Sequence, residues 1–197
     1  MKKPFNLKKF SKYLLSLVGY VLLVAADEFF APFAIPLLIA NVYIGLSPLL
    51  SCALFVAAYL LSLSISVTAV AAMSGAVAAI FFLITNKIGK KPNFSLALIT
   101  AVALAPYVLV RDCHNLTVRL ILAGVCVPLV FVFVSAAKVF LVKGLKYRLS
   151  TDEIVSAAAL FSVASYGAIN LFSAPVYECF AVAAILISGM IMRRSCC

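Results

Sequence analysis

Residues 116–142 read LTVRLILAGVCVPLVFVFVSAAKVFLV, a run broken only by Arg119 near its start and Lys138 near its end. A helix needs about 20 apolar residues to cross a hydrocarbon core of roughly 30 Å. This run exceeds that and is long enough to tilt. A helix apolar on every side has no polar stripe to turn toward water, so its natural solvent is lipid or protein interior.

Working outward, the same texture recurs. Runs 14–26, 29–45, 48–63, 66–85, 94–110, 154–172 and 176–192 are also apolar. Of 197 residues, 66% are hydrophobic and 11% charged, and the mean hydropathy is +1.21. Soluble domains carry roughly 45–50% apolar and about 25% charged residues, so the chain cannot clothe itself for water. The expected fold is all-α, a polytopic transmembrane helical bundle of six to eight spans. Eight spans follow if every run crosses, and six if two of the first four are re-entrant or merged. The expected organisation is a basic N-terminus at 1–13, a transmembrane domain at 14–192 and a short tail at 193–197.

The charges are grouped between the runs. Lys2, Lys3, Lys8, Lys9 and Lys12 open the chain. Lys87, Lys90 and Lys91 form a second group, Lys138, Lys143, Lys146 and Arg148 a third, and Arg193 and Arg194 close it. Placed by either span count, these groups fall on one side of the membrane and only Arg111 and Arg119 on the other. That satisfies the positive-inside rule with both termini cytoplasmic in a cell membrane. The net charge of +10 therefore does not point to nucleic acid, since no basic face on a folded domain can be drawn. A cleaved secretory signal ending at Val24-Ala25-Ala26 is the weaker reading of the first run, because the chain turns apolar again two residues later.

Two helix starts are legible. Ser150-Thr-Asp-Glu153 ahead of an apolar run is a capping box, with Ser150 at the N-cap and Glu153 three residues on. Ser173 followed by Pro175 suits another start. Pro32, Pro36, Pro48, Pro106 and Pro128 start or interrupt apolar runs and are read as ordinary kinks or starts.

Reactive chemistry is sparse. Cys52, Cys113, Cys126, Cys179, Cys196 and Cys197 contain no C-x-x-C pair, and His114 is the only histidine that could join them at a metal. Cys52 and Cys126 read as buried small apolar residues. Cys113 and Cys179 would share the outer face, where a disulfide has no support from spacing. Cys196-Cys197 beside Arg193 reads as a loose tail ahead of a palmitoylation site. Asp27, Glu28, Asp112, Asp152, Glu153 and Glu178 all fall near span ends. No catalytic carboxylate pair, Ser/His/Asp set or phosphate-cradling loop is present, so no enzyme, catalytic residue, metal or cofactor is expected. Asn170, the clearest polar residue in a late span, reads as a bond to a neighbouring helix. Ala71, Gly75 and Ala79 recur every four residues on one helix face, which supports a packed bundle or a homo-oligomer.

Two stretches, DEFFAPFAIPL at 27–37 and KGLKYRLSTDEIVS at 143–156, resemble the N-terminal membrane region of the stage II sporulation protein E family. The order and spacing of the spans between them are similar too. The resemblance implies a multi-pass membrane anchor and localisation module working at the division septum, with division or sporulation proteins as partners besides the lipid bilayer. Members carry a C-terminal metal-dependent serine/threonine phosphatase. This chain would be the anchoring part alone, without that domain, and no catalytic residue carries over. The alternative is a small-molecule membrane transporter component, of the vitamin-uptake substrate-binding type. That reading needs an outer-face pocket, for which Tyr107, Asp112, His114, Asn170, Tyr177 and Glu178 are the candidates.

Overall fold

The computed structural model describes residues 7–26, 32–62, 65–88, 92–110, 115–143 and 149–171, together with Glu178 and Val182. Every apolar run within those segments contains a helix, and no strand occurs among the described residues. The reason is general: where no water reaches, a helix satisfies its own backbone amides and carbonyls. The helices are α1 (Leu7–Ala25), α2 (Ala34–Tyr43), α3 (Pro48–Ser62), α4 (Ile65–Ile88), α5 (Pro92–Val110), α6 (Leu116–Lys138) and α7 (Thr151–Leu171). A π-helical turn, Val139–Lys143, continues α6. The eighth apolar run and the Ser173–Pro175 start lie outside the described residues.

Three segments are long and apolar enough to cross a membrane: Val67–Ile84, Leu116–Val142 and Thr151–Leu171. Phe10–Ala25, Ala34–Tyr43, Pro48–Leu61 and Phe94–Val110 are shorter apolar helices. Large apolar side chains such as Leu49, Leu61, Leu109, Ile121 and Val155 stand exposed on the outside of the bundle. Such a surface suits a membrane and not water.

Local chemistry sets the helix ends. The capping box forms as expected: the Ser150 amide donates to Glu153 Oε2 at 3.1 Å, and the Glu153 amide donates to Ser150 Oγ at 3.4 Å. Pro48 and Pro92 occupy first helical positions, where the missing amide hydrogen costs no bond. Helix α2 stops in a Schellman motif. Gly45 adopts φ +104, its amide donates to Val42 O at 3.0 Å, and the Leu46 amide donates to Asn41 O at 3.1 Å. Helix α1 begins at Leu7, ahead of the apolar run, so it takes in Lys8, Lys9 and Lys12.

Side-chain ties fix the helix directions. Tyr13 Oη accepts the Ser47 amide at 3.2 Å, and two turns along the Tyr20 ring meets Phe55 edge-on at 5.8 Å. Helices α1 and α3 thus run parallel. Asn170 Nδ2 donates to Ala25 O at 2.9 Å, and Gly167 lies against Leu22, so α7 is parallel to α1 as well. Arg119 Nη1 donates to Val108 O at 2.8 Å, joining the start of α6 to the end of α5. The Lys138 ammonium sits 5.8 Å from the centre of the Tyr43 ring, joining the ends of α6 and α2. One end of the bundle therefore holds Tyr13, Tyr43, Ser47 and Lys138, and the opposite end holds Ala25, Val108, Arg119 and Asn170.

Helix α2 is the centre. Its residues Ala34 to Asn41 are all buried, and it touches α1, α3, α4, α5 and α6. At ten residues it is about 15 Å long, half a hydrocarbon core. The second apolar run thus contributes an interior helix too short to cross alone.

Helices α1 and α7 approach closely at Gly167, where a Cβ would run into the Leu22 carbonyl and stand 2.9 Å from the Ala26 amide nitrogen. Gly167→Ala is expected to lower stability by about 1–3 kcal/mol through overpacking. Gly124→Ala, with nothing within 4 Å of the new methyl, should be neutral or gain from helix propensity. Thermal unfolding of both variants in detergent, followed by circular dichroism, checks this. Equal midpoints would mean that α7 does not lie this close to α1.

Candidate functional site

The polar interior gathers where α1, α2 and α3 meet. Asn41 projects from the last turns of α2 because it lies one helical turn beyond Leu37 on the face toward α1. Its Nδ2 donates to Tyr20 Oη at 2.9 Å, with Tyr20 0% and Asn41 1% exposed. The Tyr20 ring packs edge-on to Phe55, which in turn meets Tyr59 edge-on at 5.0 Å. Such pairs align the negative face of one ring with the positive edge of the next. Ser51 and Cys52 on α3 complete the cluster. Cys52 Sγ donates to Gly75 O on α4 at 3.3 Å. Ser51 is fully buried beside Tyr20.

Beside this cluster a cleft of about 190 Å³ opens between α1, α2, α7 and the end of α6. Its walls are apolar, including Leu22, Leu37, Leu160 and the Phe140–Phe161 pair, whose rings stand 5.3 Å apart and nearly perpendicular. Asn41 and Ser16 are its polar residues. The Ser16 hydroxyl donates to Lys12 O at 2.9 Å, one turn back along α1. A second, much smaller void of about 10 Å³ lies among Pro32, Tyr59, Ser74 and Tyr107.

The residues expected to form an outer-face pocket do not assemble among the described residues. Tyr107 is buried on α5 beside that small void, while Asn170 on α7 bonds a carbonyl of α1. Glu178 is exposed, and Asp112, His114 and Tyr177 lie outside the described residues. Asn170 does bond a neighbouring helix, as its position in an apolar span suggested. Cys126 is fully buried and Cys52 partly so. Cys113, Cys179, Cys196 and Cys197 lie outside the described residues, and no group of three metal-ligating side chains occurs within them. The small-residue face is used inside the chain: Ala71 is buried, and Gly75 packs on Phe55 and Cys52.

Sequence reasoning passed over Tyr20, Asn41 and Ser51. The available signal was Asn41 itself, the one amide within the run 29–45. Compared with known protein families, curated proteins and solved structures, the chain matches none of them.

The Tyr20–Asn41 pair can be weighed directly. Tyr20→Phe and Asn41→Ala should each lower stability, and the double variant should lose less than the two losses combined. A coupling of about 0.6–1.7 kcal/mol is expected for a bond between membrane helices. Unfolding of the four proteins in mixed micelles measures it, and a coupling of zero would show that the two groups do not bond.

Proposed function

We propose that this chain is a multi-pass membrane anchor and localisation module, similar to the membrane region of the stage II sporulation protein E family. It sits in the cell membrane with six to eight spans and both termini on the cytoplasmic side. The observation that carries this reading is the sorting of the bundle's two ends. The end marked by Tyr13, Tyr43 and Ser47 also holds Lys12 and Lys138. The connections that leave α4 and α6 toward it carry Lys90, Lys91, Lys146 and Arg148 in sequence. The opposite end holds Arg119 alone among the described basic residues, and its guanidinium serves the Val108 carbonyl at the end of α5. An end rich in lysine and arginine and an end poor in them are what the positive-inside rule asks of a membrane protein.

The polar side chains that reach between helices also favour anchoring over transport. Asn41, Asn170 and Cys52 join one helix to another. A transporter component would bring Tyr107 and Asn170 around one outward pocket, and they occupy separate packing interfaces. On the anchoring reading, the partners are the bilayer and proteins of division or sporulation, with self-association through helix faces as a further contact. No nucleic acid takes part, and the chain performs no catalysis.

Two measurements test this. A fluorescent fusion of residues 1–197 in a sporulating host should concentrate at the polar septum, and uniform membrane labelling would remove the sporulation role. In a background with the native cysteines replaced, Ser47→Cys should react with an impermeant maleimide only after permeabilisation, and Asn115→Cys in intact cells. The reverse pattern would invert the orientation.

A further inference from the structure

We propose that the cleft between α1, α2, α6 and α7 is a binding site for a compact uncharged molecule made of one hydrocarbon ring and one hydroxyl group. This goes beyond anchoring and stands apart from it.

Size comes first. At about 190 Å³ the cleft is somewhat larger than the dry cavity of about 150 Å³, lined by Leu, Ile and Phe, that accepts benzene. Chemistry comes second. Among the described residues no charged side chain lines the cleft, so a carboxylate or ammonium would enter without a counter-charge from them, at heavy cost. The perpendicular Phe140 and Phe161 rings offer one aromatic face and one aromatic edge to a planar guest.

The third element is Asn41, which lines the cleft while 1% exposed. Tyr20 holds one half of its amide, and in this proposal the hydroxyl of the guest stands against the other half. Either assignment of the amide oxygen and nitrogen leaves that half able to bond, because the Tyr20 hydroxyl can donate or accept. A hydroxyl likewise donates or accepts and so matches whichever group faces it. A bare lipid tail would fill the space but leave the amide unmet, which is unfavourable in so dry a site. The cleft therefore selects for a ring bearing a hydroxyl over a hydrocarbon of the same size.

The test uses the full chain in lipid nanodiscs, with 4-fluorophenol and the near-isosteric 4-fluorotoluene as probes read by fluorine NMR. Empty nanodiscs define simple partitioning. Saturable binding of 4-fluorophenol above that baseline is expected, with weaker binding of 4-fluorotoluene. Asn41→Leu should weaken 4-fluorophenol about tenfold and change 4-fluorotoluene less than about twofold, the loss of one hydrogen bond. Val18 is half-exposed at the rim. Val18→Trp should therefore close the cleft to both probes while preserving the helical circular dichroism. Uptake equal to empty discs, binding unchanged by Val18→Trp, or equal affinity for the two probes would each overturn the proposal. Should Asn41→Leu fail to fold, Val18→Trp and the probe preference of the unmodified chain still decide it. Septal localisation is read in a different experiment, so the two ideas fail separately.

Discussion

Hydrocarbon offers no hydrogen bonds, so a polar group buried in this bundle is costly unless it is met from within the chain. The helices answer for the backbone. The side chains answer in two ways, and the difference organises the fold. Ser16, Thr100 and Ser162 turn back to carbonyls one turn earlier on their own helices, which costs nothing in tertiary specificity and gives none. Asn41, Asn170, Cys52, Tyr13 and Arg119 reach across to other helices. Apolar contacts alone would let these helices slide, since lipid tails attract leucine about as well as protein does. The cross-helix bonds set which turn of α1 faces which turn of α2, α3 and α7, and which turn of α6 faces the end of α5.

How much of this could be read from the chain depends on the range of the interaction. Local features were plain. The span texture placed each described helix to within a few residues of its ends, except where α1 extends into the lysines and α2 shortens. The capping box at Ser150 and Glu153 needed only three residues of context. Asn170 was correctly taken as a link between helices, though nothing in its neighbourhood named Ala25 as the partner 145 residues away. Asn41 escaped notice because its meaning depends on Tyr20 and on a cleft walled by α6 and α7, which no periodicity reveals. The pattern of Ala71 and Gly75 announced a close approach but not whether the approaching surface would be a second copy or, as found, Phe55 of the same chain.

The short central helix explains why the cleft exists. Helix α2 is enclosed by five others and ends at the Gly45 turn. Helix α6 packs on it, while α7 stands across the cleft and is drawn hard against α1 at Gly167. Near Gly167 the two helices have no room between them. Toward the end where Leu15 and Phe161 stand, the side chains leave the 190 Å³ space open. The same close approach that holds α7 in place thus leaves a hollow along its length, and Asn41 becomes a wall of that hollow as well as a link between helices.

The helices also differ in length around the perimeter. The apolar stretch through α6 and its π-helical turn covers 27 residues, about 40 Å, whereas α3 has 15 residues, about 22 Å. Lipids beside α3 meet a belt shorter than their own thickness and those beside α6 meet a longer one, differences that thinning, thickening or tilt must absorb at a small cost per ångström. A membrane that is bent or graded in thickness takes up unequal helix lengths at a lower cost than one that is flat and uniform.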